Sequence, residues 1–170
     1  GLADANLMAK DLPDLELDHP WDLTPEEAIE LALRCERAGL NFSASVKKTD
    51  NVSLNSHRGV RCYGNSNGFI AAFPSTRHSI SASMIAENEN GMQRDYWYSV
   101  ARKANDLETA AAIGKKAGER TIKRLEARRL PTQQCPVLYC AEVASGLIGS
   151  LIGAISGGAL YLKSTFLLDA

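Results

Sequence analysis

Ser79-Ile80-Ser81-Ala82-Ser83-Met84-Ile85-Ala86 decides how this chain folds. A period of two sends Ile80, Ala82, Met84 and Ala86 to one side and Ser79, Ser81, Ser83 and Ile85 to the other. A strand that is apolar on one face and polar on the other belongs in an antiparallel sheet covered on one side. Turn sequences bracket it, Asn65-Ser66-Asn67-Gly68 before and Glu89-Asn90-Gly91 after, and their Asn and Gly residues tolerate the positive φ of tight hairpins. Working outward, Phe42, Ala44 and Val46 face one side of a first strand, and Val60 and Cys62 continue the alternation in a second. The segment from Leu40 to Val100 therefore reads as a meander packed on one face against helices.

The covering helices are legible on both sides of the meander. Thr24-Pro25-Glu26-Glu27 has the residues of a capping box, with Pro25 suited to the first helical position. Ala28, Leu31, Ala32 and Cys35 then recur at helical spacing, and Gly39 reads as the C-terminal stop of a helix from about Thr24 to Ala38. Asp106 is the expected N-cap of a second helix reaching Arg129, with Leu107, Ala110, Ala111, Ile113, Gly114, Ala117, Thr121, Ile122 and Leu125 available for its buried side. Its other face carries Lys115, Lys116, Arg120, Lys123, Arg124, Arg128 and Arg129 against Glu119 and Glu126. That face is either a solvated surface or a site for phosphate or an acidic partner. Leu130-Pro131-Thr132-Gln133-Gln134 reads as a linker, and Val137 to Cys140 as a short buried strand feeding another helix. The expected fold class is α+β, with residues 1–135 as the latter part of one domain and 136–170 as the start of a truncated mixed α/β domain.

Composition sets wide bounds. With 170 residues the chain can bury one sizeable core or two small ones, and a net charge of -1 makes no case for nucleic acid or membrane. Cys35, Cys62, Cys135 and Cys140 include no Cys-x-x-Cys pair and read as reduced cytosolic thiols. The opening at Gly1, without methionine or a basic-then-apolar leader, fits an excised middle portion of a longer cytoplasmic protein.

The chemistry turns on Ala141-Glu142-Val143-Ala144-Ser145-Gly146. Together with Gln93-Arg94-Asp95-Tyr96-Trp97-Tyr98, the segment from Ala127 to Thr132 and the run from Ser156 to Asp169, it resembles the PmbA/TldE family, the non-metal side of the TldD/TldE zinc peptidases. The metal-binding relatives carry His-Glu-x-x-x-His at the first of these stretches. Here Ala141 and Gly146 stand where that motif has its imidazole ligands, and neither can donate electrons to a metal. The resemblance implies a noncatalytic subunit of a cytoplasmic heterodimer, with zinc held by a TldD-like partner and none in this chain. It also implies a peptide substrate, in processes such as maturation of peptide antibiotics and degradation of antitoxins. A stand-alone protein binding peptides or an acidic partner, with no protease role, is the alternative.

In a zinc peptidase the motif's glutamate takes a proton from metal-bound water. Without ligands beside it, Glu142 reads instead as a carboxylate favoured by the amide dipoles of a helix N-terminus. A five-residue spacing also turns about 140° around a regular helix, so a working motif needs a distorted turn. His19, His57 and His78 lack a second ligand at helical spacing, and no nucleophile elbow or phosphate-binding loop occurs. Val143 to Leu162 is uncharged and long enough to cross a bilayer, but its glycines and serines favour a short buried helix ending near Ile155, a turn at Gly157-Gly158 and an extended Ala159 to Leu162. Tyr96, Trp97 and Tyr98 form a dense aromatic cluster, serving either as core or as a contact for a partner or peptide.

Overall fold

A computed structural model describes residues 4–168, which divide into two compact units between Arg128 and Arg129. Asp169, at the end of one resemblance segment, lies outside the described residues.

The first unit is α+β. Its elements are α1 (Pro25–Leu40), β1 (Val46–Gly64), β2 (Ile70–Asn88), β3 (Gly91–Ala101) and α2 (Ala110–Lys123). The strands form one antiparallel sheet in the order β1-β2-β3. β2 is the central strand, and the alternation expected of it is realised: Ile80, Ala82, Met84 and Ala86 are buried while the serines between them are half-buried. The helices lie on that buried face, α1 against β1 and β2, and α2 against β2 and β3. Cys35, Val46, Ala110, Ile113 and Ala117 complete the core.

The start of α1 is fixed as its sequence indicates. The Glu27 amide donates to Thr24 Oγ1 at 3.2 Å and the Thr24 amide donates to Glu27 Oε2 at 2.9 Å. Its end is not: the helix runs through Gly39 to Leu40. Gly39 is buried where the two helices and the sheet meet, and a Cβ there would collide with the Met84 side chain. The glycine serves close packing rather than termination.

Phe42 and Ala44 are in the turns after α1, and Val46 through Cys62 belong to one strand, not two. Register shifts at Val46/Lys48 and Thr49/Asn51 bend the strand without ending it. Asp106 belongs to a 3-10 turn, and Thr109 caps α2, accepting from the Ala112 amide at 3.3 Å. The helix stops at Lys123 rather than Arg129, beyond which Arg124 and Arg128 would stack like charges one turn apart.

An N-terminal segment adds a polar seam to the sheet. The Thr76 amide donates to the Leu17 carbonyl at 2.9 Å, and the His19 amide donates to Thr76 Oγ1 at 2.9 Å. Buried His78 lies 2.9 Å through Nε2 from the His19 carbonyl and 2.9 Å through Nδ1 from Ser56 Oγ. A carbonyl only accepts, so Nε2 is the donor. Trp21 meets the same imidazole edge-on, and Arg58 clasps Asp18 at 2.6 Å. These contacts account for two of the three histidines structurally.

The second unit holds α3 (Ala141–Ala154) and α4 (Gly157–Tyr161). Residues 137–140 form no strand, and Leu138 is 98% exposed. α3 ends at the C-cap Ile155 as expected but is not buried: Val143, Leu147, Ile148, Leu151 and Ile152 are all exposed. Gly157-Gly158 opens α4 rather than forming a turn, and Ala159 to Tyr161 are helical rather than extended, because Ser156 Oγ accepts from the Ala159 amide at 3.4 Å and caps the helix start. Among the described residues no helix is long and apolar enough to cross a membrane.

Candidate functional site

Two places bear on function. The first is the start of α3, where Ala141 begins the helix, Glu142 lies in its first turn and Gly146 follows one turn later. Cys140 occupies the N-cap without a side-chain hydrogen bond, leaving backbone amides that favour an anionic side chain such as Glu142. Ala141 and Gly146 present a methyl group and a hydrogen, neither of which can ligate a metal such as zinc. Among the described residues no group of three or more His, Cys, Asp or Glu could hold a metal ion.

The second is β3 with the α2 face above it. The pleat divides the aromatic cluster. Trp97 pairs with buried Ala82 and packs against the core, whereas Tyr96 and Tyr98 pair with Ser83 and Ser81 on the opposite face. The two tyrosine rings stack at 6.2 Å and remain 56% and 47% exposed. On the helix side, the Trp97 ring takes Arg120 at 5.2 Å and Lys116 at 5.9 Å over its plane, and its Nε1 donates to Glu108 Oε1 at 3.1 Å. A surface contact by this cluster thus falls to Tyr96 and Tyr98.

The basic face of α2 is substantially partnered. Arg120 and Arg124 approach Asp95 of β3 at 3.7 and 3.6 Å, and Glu119 accepts from Lys123 at 2.6 Å with Lys116 at 3.4 Å. The hydrogen bond from Lys123 and the charge of Lys116 hold the Glu119 carboxyl below the usual glutamate range. Sequence spacing along the helix exposes the excess of cations but not Asp95, which arrives from another element. Thr121, expected only as a buried helix residue, also bonds across elements: its Oγ1 lies 2.8 Å from the Ala117 carbonyl and 3.4 Å from that of Met84.

The cysteines offer no site. All four are unbridged, and burial pushes the Cys35 thiol up to about 11, which keeps it protonated and unreactive near neutrality.

The family model for the PmbA/TldA metallopeptidase central domain matches residues 18–125. The chain belongs to the PmbA metallopeptidase family. It is 48% identical over its whole length to Metalloprotease PmbA of Escherichia coli O157:H7 and 41% identical over 99% of its length to a PmbA homologue of Haemophilus influenzae. The chain spans 38% of the length of each of these relatives. Its fold matches that of a Bacteroides thetaiotaomicron protein described as a proposed modulator of DNA gyrase, with a TM-score of 0.85 and 28% identity, covering 99% of this chain and 39% of the other.

Proposed function

We propose that this chain is part of a noncatalytic subunit of a cytoplasmic, heterodimeric zinc peptidase acting on peptides or small unfolded proteins. The observation that carries the reading is the pair Ala141 and Gly146, which leaves Glu142 without metal ligands on either side. Membership of a family whose relatives are named metalloproteases supports a role connected with peptide hydrolysis. In this reading a TldD-like partner holds the zinc and supplies the water-activating glutamate, while this chain helps to form the substrate channel. Residues 1–135 are the latter part of an N-terminal α+β domain, and residues 136–170 begin a metallopeptidase-like domain continued by further chain. The exposed apolar sides of α3 support that continuation, since such a helix gains stability only when covered.

The test is to purify the full-length protein alone and after co-expression with a subunit carrying His-Glu-x-x-x-His. Bound zinc and peptide cleavage are measured in both preparations. Zinc and cleavage are expected only in the complex; stoichiometric zinc and activity in the lone chain would overturn the reading.

A further inference from the structure

The core-facing side of the sheet changes character at one rung. Toward the turn between β2 and β3, β2 presents Ile80, Ala82, Met84 and Ala86 and β1 presents Val52 and Leu54, all in or against the core. In the other direction the same alternation brings Thr76 and His78 on β2, paired with Arg58 and Ser56 on β1. Leu54 lies opposite Ile80 and Ser56 opposite His78, so both strands turn from apolar to polar together. Thr76 and His78 are nevertheless 1% exposed, with residues 17–21 against them.

Those residues belong to a segment with its own shape. Asp14 Oδ1 accepts from the Glu16 amide at 2.9 Å, Glu16 has a φ of 48°, and His19 Nε2 donates to the Glu16 carbonyl at 2.7 Å. At the far end the Leu23 amide donates to the Trp21 carbonyl at 2.9 Å, a three-residue turn just before the Thr24 cap of α1. Attachment to the sheet between these points is largely polar. The His19 amide bonds Thr76 Oγ1, the Thr76 amide bonds the Leu17 carbonyl, His78 Nε2 bonds the His19 carbonyl, and Arg58 holds Asp18. None of residues 14–23 is buried.

Lifting an apolar cover exposes apolar area, whereas lifting this one returns a hydroxyl, an imidazole and backbone groups to water, which bonds them again. The apolar side chains it carries away are Leu17 and Trp21, both half-buried. We infer that residues 14–21 are a strap that leaves the sheet and returns as a unit, pivoting at the turn before Thr24 and latched by Thr76 and His78, while the core beneath α1 and α2 stays folded. Local openings of this kind need only a fraction of the free energy of global unfolding. The strap is a joint: residues 4–13 travel with it, and the sheet does not. It is independent of the subunit assignment.

The test is hydrogen exchange followed by mass spectrometry on the full-length protein, with the His19 and Thr76 amides reporting on the strap and residues 80–86 on the core. In wild type both reporters are expected to exchange at least about a hundredfold faster than the core, at rates that low denaturant leaves unchanged. Gly114→Ala, which crowds the contact of α1 with the Cys35 carbonyl, is expected to speed exchange in the core about tenfold and leave both reporters as they were, since the strap opens without the core. Thr76→Val removes the hydroxyl that accepts from His19 and is expected to speed the His19 amide about tenfold. Arg58→Ala, at an exposed ion pair, acts in the same direction by a smaller factor and serves if the buried variant fails to fold. Reporters that follow the core in denaturant and in Gly114→Ala would make strap and core one cooperative unit and overturn the inference. A His19 amide indifferent to both Thr76→Val and Arg58→Ala would overturn the latch.

Discussion

Gly114 and Asp18 illustrate what single side chains decide. A Cβ at Gly114 would run into the Cys35 carbonyl across the contact between α1 and α2, and the obstacle is backbone rather than a movable side chain. Gly114→Ala is therefore expected to cost about 1–3 kcal/mol, read as a lowered denaturant midpoint with unchanged m-value. For Asp18, the hydrogen bond and charge of Arg58 hold the carboxyl below the usual aspartate range. A depressed pKa stabilises the folded state above the unfolded value of about 3.9 and loses that contribution as pH falls through the folded value. Wild type is thus expected to melt above Asp18→Asn near neutrality, with the gap closing in acid; a gap independent of pH would mean the ion pair contributes nothing. Neither effect is readable from sequence, because Asp18 and Arg58 are forty residues apart and meet only along the folded seam.

At the scale of elements, β3 assigns opposite tasks to neighbours in sequence. Trp97 lies beneath α2, between the core and the cations of Lys116 and Arg120, so Trp97→Ala is expected to destabilise the domain by about 3 kcal/mol. Tyr96→Ser with Tyr98→Ser removes exposed rings and is expected to leave the melting temperature within a few degrees while weakening any partner or peptide contact. Thermal melts of the two variants, beside a pull-down of the co-expressed partner, separate the roles. Trp97→Ala does not report on a partner contact, since the residue supports the fold itself. Elements bounded by local chemistry, such as the Thr24 capping box, are legible in the chain. The ends of α1 and α2 are not, because helix crossing and charge crowding decide them.

For the whole molecule, the two units differ in what they bury. Residues 4–128 have a core built around Met84 and Ile113, whereas no described residue of α3 or α4 is buried. A fragment ending at Arg128 is expected to unfold cooperatively, and a peptide covering 129–170 to lack a cooperative transition, as circular dichroism on heating would show. A sharp transition in the isolated peptide would mean that α3 finds its cover within this segment.

The sequence by itself determined the α+β class, the one-sided sheet, the Thr24 cap and the absence of ligands at positions 141 and 146. Each follows from residue type or from a period of two or 3.6 residues, which the chain carries locally. Tertiary structure alone decided that β1 is a single bulged strand and that Gly39 is a crossing point. It also sent Trp97 to the opposite face from its flanking tyrosines and set Asp95 against the cations of α2. Those outcomes depend on atoms brought close across many residues of chain, where packing and charge pairing override local preference.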